Sequence, residues 1–187
     1  NTGGGSPGDS TEVLRTFLSL GLQDALILYM VDNQVAVQAE RVGVGSRISI
    51  SLGGKSSPQQ GLPVEADAEV LATSSGAFAY DGPMFDGLTG SMGTSAWIRI
   101  KGVNIVVVTS REQPFDMAFA RSLGIDCAKM KYISLKPAAP FRAAFEPIAG
   151  SIHNIDAAGI HTHDFSRLPS SKRTRHIFPI EIKPLLG

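Results

Sequence analysis

Residues 25–32 read Ala-Leu-Ile-Leu-Tyr-Met-Val-Asp, an unbroken apolar run closed by an aspartate. A short apolar run without alternation is typical of a strand that is buried on both faces of its sheet. Asp32 is a favourable N-cap for a second helix, which is predicted to reach Val42 and to end at Gly43. This stretch therefore predicts that the chain is built as an α/β domain.

A second strand is predicted just downstream, where Ile48 and Ile50 alternate with serines before the pair Gly53-Gly54. Strand, helix and strand at this spacing resemble a βαβ unit, whose crossover would be right-handed. We therefore expect these two strands to belong to one parallel unit.

Upstream of the apolar run, Ser6-Pro7-Gly8-Asp9 is typical of a helix start, with serine as the N-cap and proline at the first helical position. Apolar residues then recur at helical spacing until Gly21. The pattern predicts a first helix over residues 7–20.

The rest of the chain is rich in predicted strands. Lys101-Gly102 is interpreted as a hairpin turn, and the glycine-rich residues 76–93 as a long loop. Further strands are predicted over residues 64–74, 94–101, 103–109, 132–135 and 152–155, and helices over residues 115–123 and 141–149. The proline-containing and basic residues 165–187 are predicted to form an extended tail packed on the surface. The predicted fold class is a single α/β domain with a mixed, largely buried sheet flanked by helices.

Composition narrows the class of function. The 187 residues carry 17 basic and 17 acidic side chains, 43% hydrophobic and 18% charged residues, which is typical of a globular domain. A balanced charge gives no basic surface for nucleic acid or an anionic membrane, so neither is an expected partner. Cys127 has no partner for an internal disulfide, which favours a reducing, cytoplasmic location.

Several short motifs, taken together and in order, resemble the C-terminal domain of the MlrC family of zinc metallopeptidases. They are residues 3–11 (Gly-Gly-Gly-Ser-Pro-Gly-Asp-Ser-Thr), 53–55 (Gly-Gly-Lys), 61–64 (Gly-Leu-Pro-Val), 81–84 (Asp-Gly-Pro-Met), 91–96 (Ser-Met-Gly-Thr-Ser-Ala), 106–110, 113–116 (Gln-Pro-Phe-Asp), 121–126 and 141–149.

The family's namesake hydrolyses linearised microcystin, so the resemblance implies a two-domain, zinc-dependent peptide or amide hydrolase. It also implies that the zinc is held mainly by an N-terminal domain. Because the chain begins at Asn1 without a methionine, we expect residues 1–187 to be the C-terminal domain alone, without that metal-binding domain. On that expectation no cofactor is bound and the fragment alone is inactive.

The opening loop is the first candidate site. Glycines before a helix N-terminus leave backbone N–H groups free to face an anion such as a substrate carboxylate. Asp9 places a negative charge in the same turn, however, and glycines also permit tight turns and close domain contacts. Both interpretations stay open. The residues predicted to contact substrate are Gly3, Gly4, Gly5, Ser6, Asp9, Lys136 and Arg142.

Lys136 and Arg142 flank a stretch that in relatives usually reads Lys-Ser-x-x-His-Phe-Arg, with Pro137 and Pro140 standing here in place of the serine and the histidine. That departure puts inherited peptidase activity in doubt. Arg142 could hold a carboxylate in a bidentate manner, or form a surface ion pair at a helix start.

His161 and His163 are the candidate metal ligands, since two histidines two positions apart on an extended chain face the same side. They would need further ligands, so a polar loop is the preferred interpretation and no metal site is predicted in this chain. The chain shows no Gly-x-Ser-x-Gly nucleophile motif. Cys127 is interpreted as a packing residue, so no catalytic residue is predicted.

The sequence thus predicts a domain that supplies substrate contacts and a domain interface to a metal-dependent peptide or amide hydrolase. Its expected partners are its own N-terminal domain and a small peptide or amide, with self-association left open. The alternative is a non-catalytic binding or oligomerisation domain that has lost family active-site residues.

Overall fold

A computed structural model describes residues 4–136, 140–157 and 159–161. The strands are β1 (Ala25–Val31), β2 (Arg47–Leu52), β3 (Val64–Ser74), β4 (Ala77–Ala79), β5 (Thr89–Ser91), β6 (Ser95–Ile100), β7 (Val103–Val108) and β8 (Tyr132–Leu135). The α-helices are α1 (Glu12–Ser19), α2 (Asn33–Val42), α3 (Ala118–Arg121) and α4 (Arg142–Phe145), with short 3-10 helices at Pro58–Gln60, Cys127–Lys129 and Glu146–Ile148.

Six strands form one mixed sheet in the order β2-β3-β6-β7-β1-β8. β1 lies between β7 and β8 and is parallel to both, whereas β2, β3, β6 and β7 are joined by antiparallel pairings. The predicted fold class, one α/β domain with a mixed sheet flanked by helices, is confirmed.

The expected βαβ unit is wrong. β2 follows β1 and α2 in the chain, but among the described strands it lies at the far edge of the sheet and pairs with β3 alone, in antiparallel register from Arg47↔Glu69 to Leu52↔Val64. The place beside β1 is taken by β7, which is buried at all six positions, while β2 alternates between exposed and buried residues. A two-sided apolar strand suits the centre of a sheet, and an alternating strand suits an edge.

Both faces of the sheet are covered, because β1 presents side chains to two separate apolar cores. Ile27 and Met30 pack with residues of α1 and α2 in one core, and Leu26 and Leu28 pack with Phe119 of α3 in the other. Burial of β1 on both faces confirms the interpretation of its apolar run.

The first helix begins at Glu12 and not at Pro7, so its predicted start is wrong. Gly8 has φ +88°, which breaks a helix, and Thr11 is the N-cap. The Thr11 hydroxyl donates to the carbonyl oxygens of Gln60 (3.3 Å) and Leu62 (2.9 Å), so it makes no capping bond of its own. Residues 4–10 consequently run as a loop.

The hairpin at Lys101-Gly102 is confirmed, with Ile100 paired to Val103 and Lys101 at φ +53°. The glycine-rich stretch contains a small two-stranded sheet, β4–β5, that was not predicted. The third and fourth helices are shorter than predicted. Residues 152–155 form no strand, and Ile155 is exposed.

The predicted tail at residues 165–187 lies outside the described residues. None of the helices in the described part of the chain combines the length and apolarity that a membrane crossing requires.

Candidate functional site

Asp9, which is only 5% exposed, anchors the opening loop to the turn at residues 53–56. The backbone N–H groups of Lys55 and Ser56 donate to Asp9 Oδ2 at 2.9 and 2.8 Å, and the Ser56 hydroxyl donates to Asp9 Oδ1 at 2.7 Å. The Gly54 N–H donates to the Asp9 backbone oxygen at 2.7 Å. Consecutive N–H groups that converge on one acceptor form an anion-binding nest. Here the bound anion is a side chain of the same protein.

The same turn binds a second carboxylate, Asp32, which follows β1 and is also 5% exposed. The Gly53 N–H donates to Asp32 Oδ2 at 2.9 Å, and Lys55 Nζ lies 2.9 Å from that oxygen. Asp32 Oδ1 accepts the Val35 N–H at 3.2 Å, so the predicted N-cap of α2 is confirmed. One buried aspartate thus caps a helix and pairs with a lysine from another segment.

Lys136, the residue after β8, contacts the loop from the other side. Its Nζ donates to the carbonyl oxygens of Gly8 at 3.0 Å and Ser10 at 3.3 Å. The residue as a whole is partly exposed, but protein atoms surround its ammonium group. That desolvation lowers the pKa of Lys136 to about 8, although the nearby charge of Asp9 acts to raise it.

We call this arrangement of Gly8, Asp9, Asp32, Lys55 and Lys136 the Asp9 junction. It joins the opening loop to the ends of β1, β2 and β8, since the Gly8 carbonyl oxygen also accepts the Val31 N–H at 3.2 Å. Its charged groups are bonded to one another and to backbone. Its chemical role in the described structure is therefore to hold segments together.

The predicted loop residues divide into two groups. Ser6 and Asp9 are buried, whereas Gly4 and Gly5 are exposed, and Gly3 lies outside the described residues. The proposed helix-terminus anion site does not form, because α1 starts at Glu12, beyond the loop. The N–H groups that do bind an anion belong to the turn at residues 53–56.

His161 lies beside Gly4, where a Cβ built on the glycine would be 2.2 Å from His161 Nε2. The opening loop and one of the two candidate histidines therefore lie side by side. His163 lies outside the described residues. Among the described residues, no three His, Cys, Asp or Glu side chains are grouped so that they could hold a metal ion, so the residues described do not fit the zinc that the family resemblance implies.

A second region is built from the motifs at residues 81–84 and 113–116. Asp116 is 1% exposed and accepts the Gly82 N–H at 2.8 Å and the Ala118 N–H at 2.8 Å. Asp81 forms an ion pair with Arg121. The motifs come together because one buried aspartate fixes the loop after β4 onto the start of α3.

An aromatic cluster supports this loop. Tyr80 stacks on Phe115 at 5.6 Å between ring centroids and meets Phe85 edge-on at 5.5 Å. Burial, followed by the charges of Glu112 and Asp116, raises the pKa of Tyr80. The packing fixes the base of the loop, while Met84 at its tip is 53% exposed.

Arg142 faces the tip of this loop across an open groove of about 500 Å³. We call it the Met84 groove, and its lining residues are Pro83, Met84, Pro140, Arg142 and Ala143. Arg142 Nη1 lies 3.6 Å from Glu146 Oε1, and the arginine side chain is 47% exposed. Its guanidinium also lies 5.6 Å from the Phe141 ring centroid.

The structure does not bring all predicted site residues into one place. Lys136 and Asp9 meet at the junction, while Arg142 lines the groove. Asp32 and Asp116 were not predicted as functional, and Lys55 was noted only within its motif. Asp32 directly follows an apolar strand, Asp116 lies just before a helix, and Lys55 directly follows two glycines. These positions were the signals available in the sequence.

Cys127 is buried, as expected of a packing residue, and burial raises the pKa of its thiol to about 11.

Comparison with known proteins places these motifs in a family. The model of the MlrC C-terminus family matches residues 1–172. Microcystinase C from Sphingomonas sp. is 24% identical over 184 residues, which cover 97% of this chain and 34% of that protein.

A crystal structure from Mesorhizobium sp. BNC1, provisionally named a metallopeptidase, has the same fold with a TM-score of 0.81 and 24% identity. The match covers 95% of this chain and 35% of that one, so this chain spans about one third of the length of each relative. Because the family model matches most of its length, the chain belongs to the MlrC C-terminus family.

Proposed function

We propose that this chain is the C-terminal domain of a metal-dependent peptide or amide hydrolase, to which it supplies substrate contacts and the interface with the rest of the protein. The observation that supports this most is the family match over residues 1–172, together with relatives named for microcystin cleavage and for metallopeptidase activity.

In this proposal the metal, expected to be zinc, is held by a part of the longer protein that corresponds to the unmatched two thirds of the relatives. The described residues provide no grouped ligands, so no step that uses the metal is assigned to them. The contribution of this chain is to position the opening loop. The Asp9 junction anchors residues 8–10, and Gly4 and Gly5 precede them at the surface, where a ligand or a neighbouring domain can approach.

The test uses the longer protein that contains this chain. Replacing Gly4 with valine is expected to lower kcat/KM for a peptide substrate at least tenfold, because a side chain would then occupy a surface where domain or ligand approaches closely. The melting temperature is expected to stay within about 2 °C, because Gly4 is exposed and the atoms nearest to a Cβ there belong to the His161 side chain.

Gly150→Val is the matched control, since Gly150 is exposed and has no atom within 4 Å of a built Cβ. Normal turnover by a folded Gly4→Val protein would contradict the proposal. Loss of hydrolysis in wild-type protein after treatment with a chelator, and its return on adding Zn²⁺, would support the metal dependence.

The alternative is a non-catalytic binding or oligomerisation domain. Pro140 favours it, because this residue stands where relatives usually have a histidine and here lines the Met84 groove. Pro137 lies outside the described residues. If the longer protein hydrolyses no peptide with any divalent metal, and Pro140→His does not restore activity, the alternative is preferred.

A further inference from the structure

We infer that the Met84 groove binds the carboxyl end of a peptide, with the free carboxylate on Arg142 and an apolar side chain against Met84. The inference rests on the proposed function in taking a peptide as the ligand. It adds the class of peptide, namely one that ends in a bulky apolar residue with an unblocked carboxylate.

The first support is that Met84 is exposed at the groove while hydrogen bonds anchor the loop that carries it. Met84, which lines the groove, is 53% exposed. The loop is anchored at its base, because the Gly82 N–H donates to Asp116 Oδ2 and the Tyr80 N–H donates to the Leu88 carbonyl oxygen, both at 2.8 Å. An anchored loop presents Met84 in a preorganised position for contact with a ligand.

The second support is charge. Arg142 is the only charged residue that lines the groove in the described part of the chain. Its contact with Glu146 is long, at 3.6 Å, and involves Nη1 on a half-exposed side chain, so this ion pair is weak. The guanidinium therefore retains donors for a bidentate bond to a carboxylate.

The third support is the size and shape of the groove. The groove is open to solvent, with a volume of about 500 Å³, so the end of a peptide can lie along it without being enclosed. The facing wall is formed by Pro140 and Ala143, which offer no side-chain hydrogen-bond donors, so Arg142 supplies the directional contact. An apolar wall with a single cation fits a ligand that carries one carboxylate beside an apolar group.

The test measures binding of acetyl-Ala-Ala-Leu-Phe as the free acid and as the C-terminal amide to the full chain, by calorimetry or by chemical-shift changes. The acid is expected to bind at least ten times more tightly than the amide, because only the acid forms the charge-assisted pair. Arg142→Gln is expected to remove this preference, and Arg142→Lys to retain part of it. Met84→Ser is expected to weaken acid and amide by a similar factor.

Arg99→Gln is the matched control, because Arg99 is also an exposed arginine paired with a glutamate, Glu69, on the sheet. It is expected to leave the acid preference unchanged. Equal affinity for acid and amide, no binding of either peptide, or the same loss in Arg99→Gln as in Arg142→Gln would overturn the inference. Because binding is measured without hydrolysis, acid preference in a protein that cleaves nothing would contradict the proposed function and leave this inference standing.

Discussion

At the Asp9 junction both oxygens of a buried carboxylate accept hydrogen bonds from the turn at residues 53–56. At the Met84 groove the charged side chain, Arg142, forms one long ion pair with Glu146 and lies over the Phe141 ring, and the neighbouring methionine is half exposed. Both regions contain motifs of the MlrC C-terminus family, and both offer residue types that suit ligand binding. The difference shows that a candidate binding residue is better judged by whether its groups already have partners than by its type or motif.

The largest expected effect tests how tightly the junction is packed. Gly54→Ala is expected to lower the free energy of unfolding by about 4 kcal/mol, combining a left-handed alanine with overpacking. Gly54 has φ +62°, and a Cβ there would lie 2.4 Å from the Gly61 carbonyl oxygen and 2.7 Å from the Leu62 carbonyl carbon.

Gly87→Ala, in the loop beside the groove, provides the comparison. Gly87 also has a positive φ, +79°, but no atom lies within 4 Å of its built Cβ. The expected cost is about 1 kcal/mol, from the backbone conformation alone. Urea unfolding of both variants gives the values, and equal costs would mean that the junction is no more crowded than the groove loop.

A smaller effect is expected when the internal anion is made neutral. Asp9→Asn is expected to cost about 2–3 kcal/mol, because the change removes the negative charge that accepts two backbone N–H groups and the Ser56 hydroxyl, and hydrogen bonds to a charged group are the stronger ones. Asp67→Asn is the control, since Asp67 is exposed and accepts only the Ser49 hydroxyl among the bonds described, at 2.6 Å. That change is expected to cost less than about 0.5 kcal/mol. An Asp9→Asn protein as stable as Asp67→Asn would show that the nest does not depend on charge.

The smallest effect concerns pH. Lys136 has a folded pKa of about 8, below the ordinary lysine value of about 10.4, so the folded state holds fewer protons than the unfolded state between these values. Its contribution to stability therefore rises as pH increases from about 8 to about 10. We expect a rise of about 1–2 kcal/mol, less than the full shift implies because the residue is partly exposed.

Between about pH 8 and 10, Cys127 changes the stability of the protein in the opposite direction to Lys136. Its folded pKa of about 11 lies above the ordinary thiol value of about 8.5, so its contribution is complete below about pH 8.5 and is lost as pH rises towards 11. Urea unfolding from pH 7.5 to 10 is therefore compared in Lys136→Met and Cys127→Ala. As pH rises, the free energy of unfolding of Lys136→Met is expected to fall more steeply than that of wild type. The free energy of unfolding of Cys127→Ala is expected to rise with pH. Parallel curves for wild type and Lys136→Met would contradict the assignment.

The fold was predictable where local pattern and burial agree. The run at residues 25–31 has no polar position, so its burial on both faces follows from composition, and Lys101-Gly102 marks a turn between two strands. The βαβ unit was wrong because order along the chain does not determine which strands pair. The alternation of Ile48 and Ile50 with serines was the available signal that β2 is a half-exposed strand.

The site was predictable only in part, because its partners are distant in the chain. Asp9 and Lys136 were identified from motifs, but the bonds that their side chains form span 46 to 128 residues. The start of α1 was misplaced for the same reason. Ser6-Pro7-Gly8-Asp9 suits a local cap, yet the carboxylate of Asp9 is bound by a turn that local patterns do not reveal.

The bond between Ser56 and Asp9 spans 47 residues and encloses α1, β1, α2 and β2. Closing a segment of that length costs chain entropy before the contact stabilises anything, so this closure is expected late in folding, after the enclosed elements have formed. Contacts absent from the transition state mainly set the rate of unfolding. The hydrogen bonds around Asp9 are therefore expected to slow unfolding more than they speed folding.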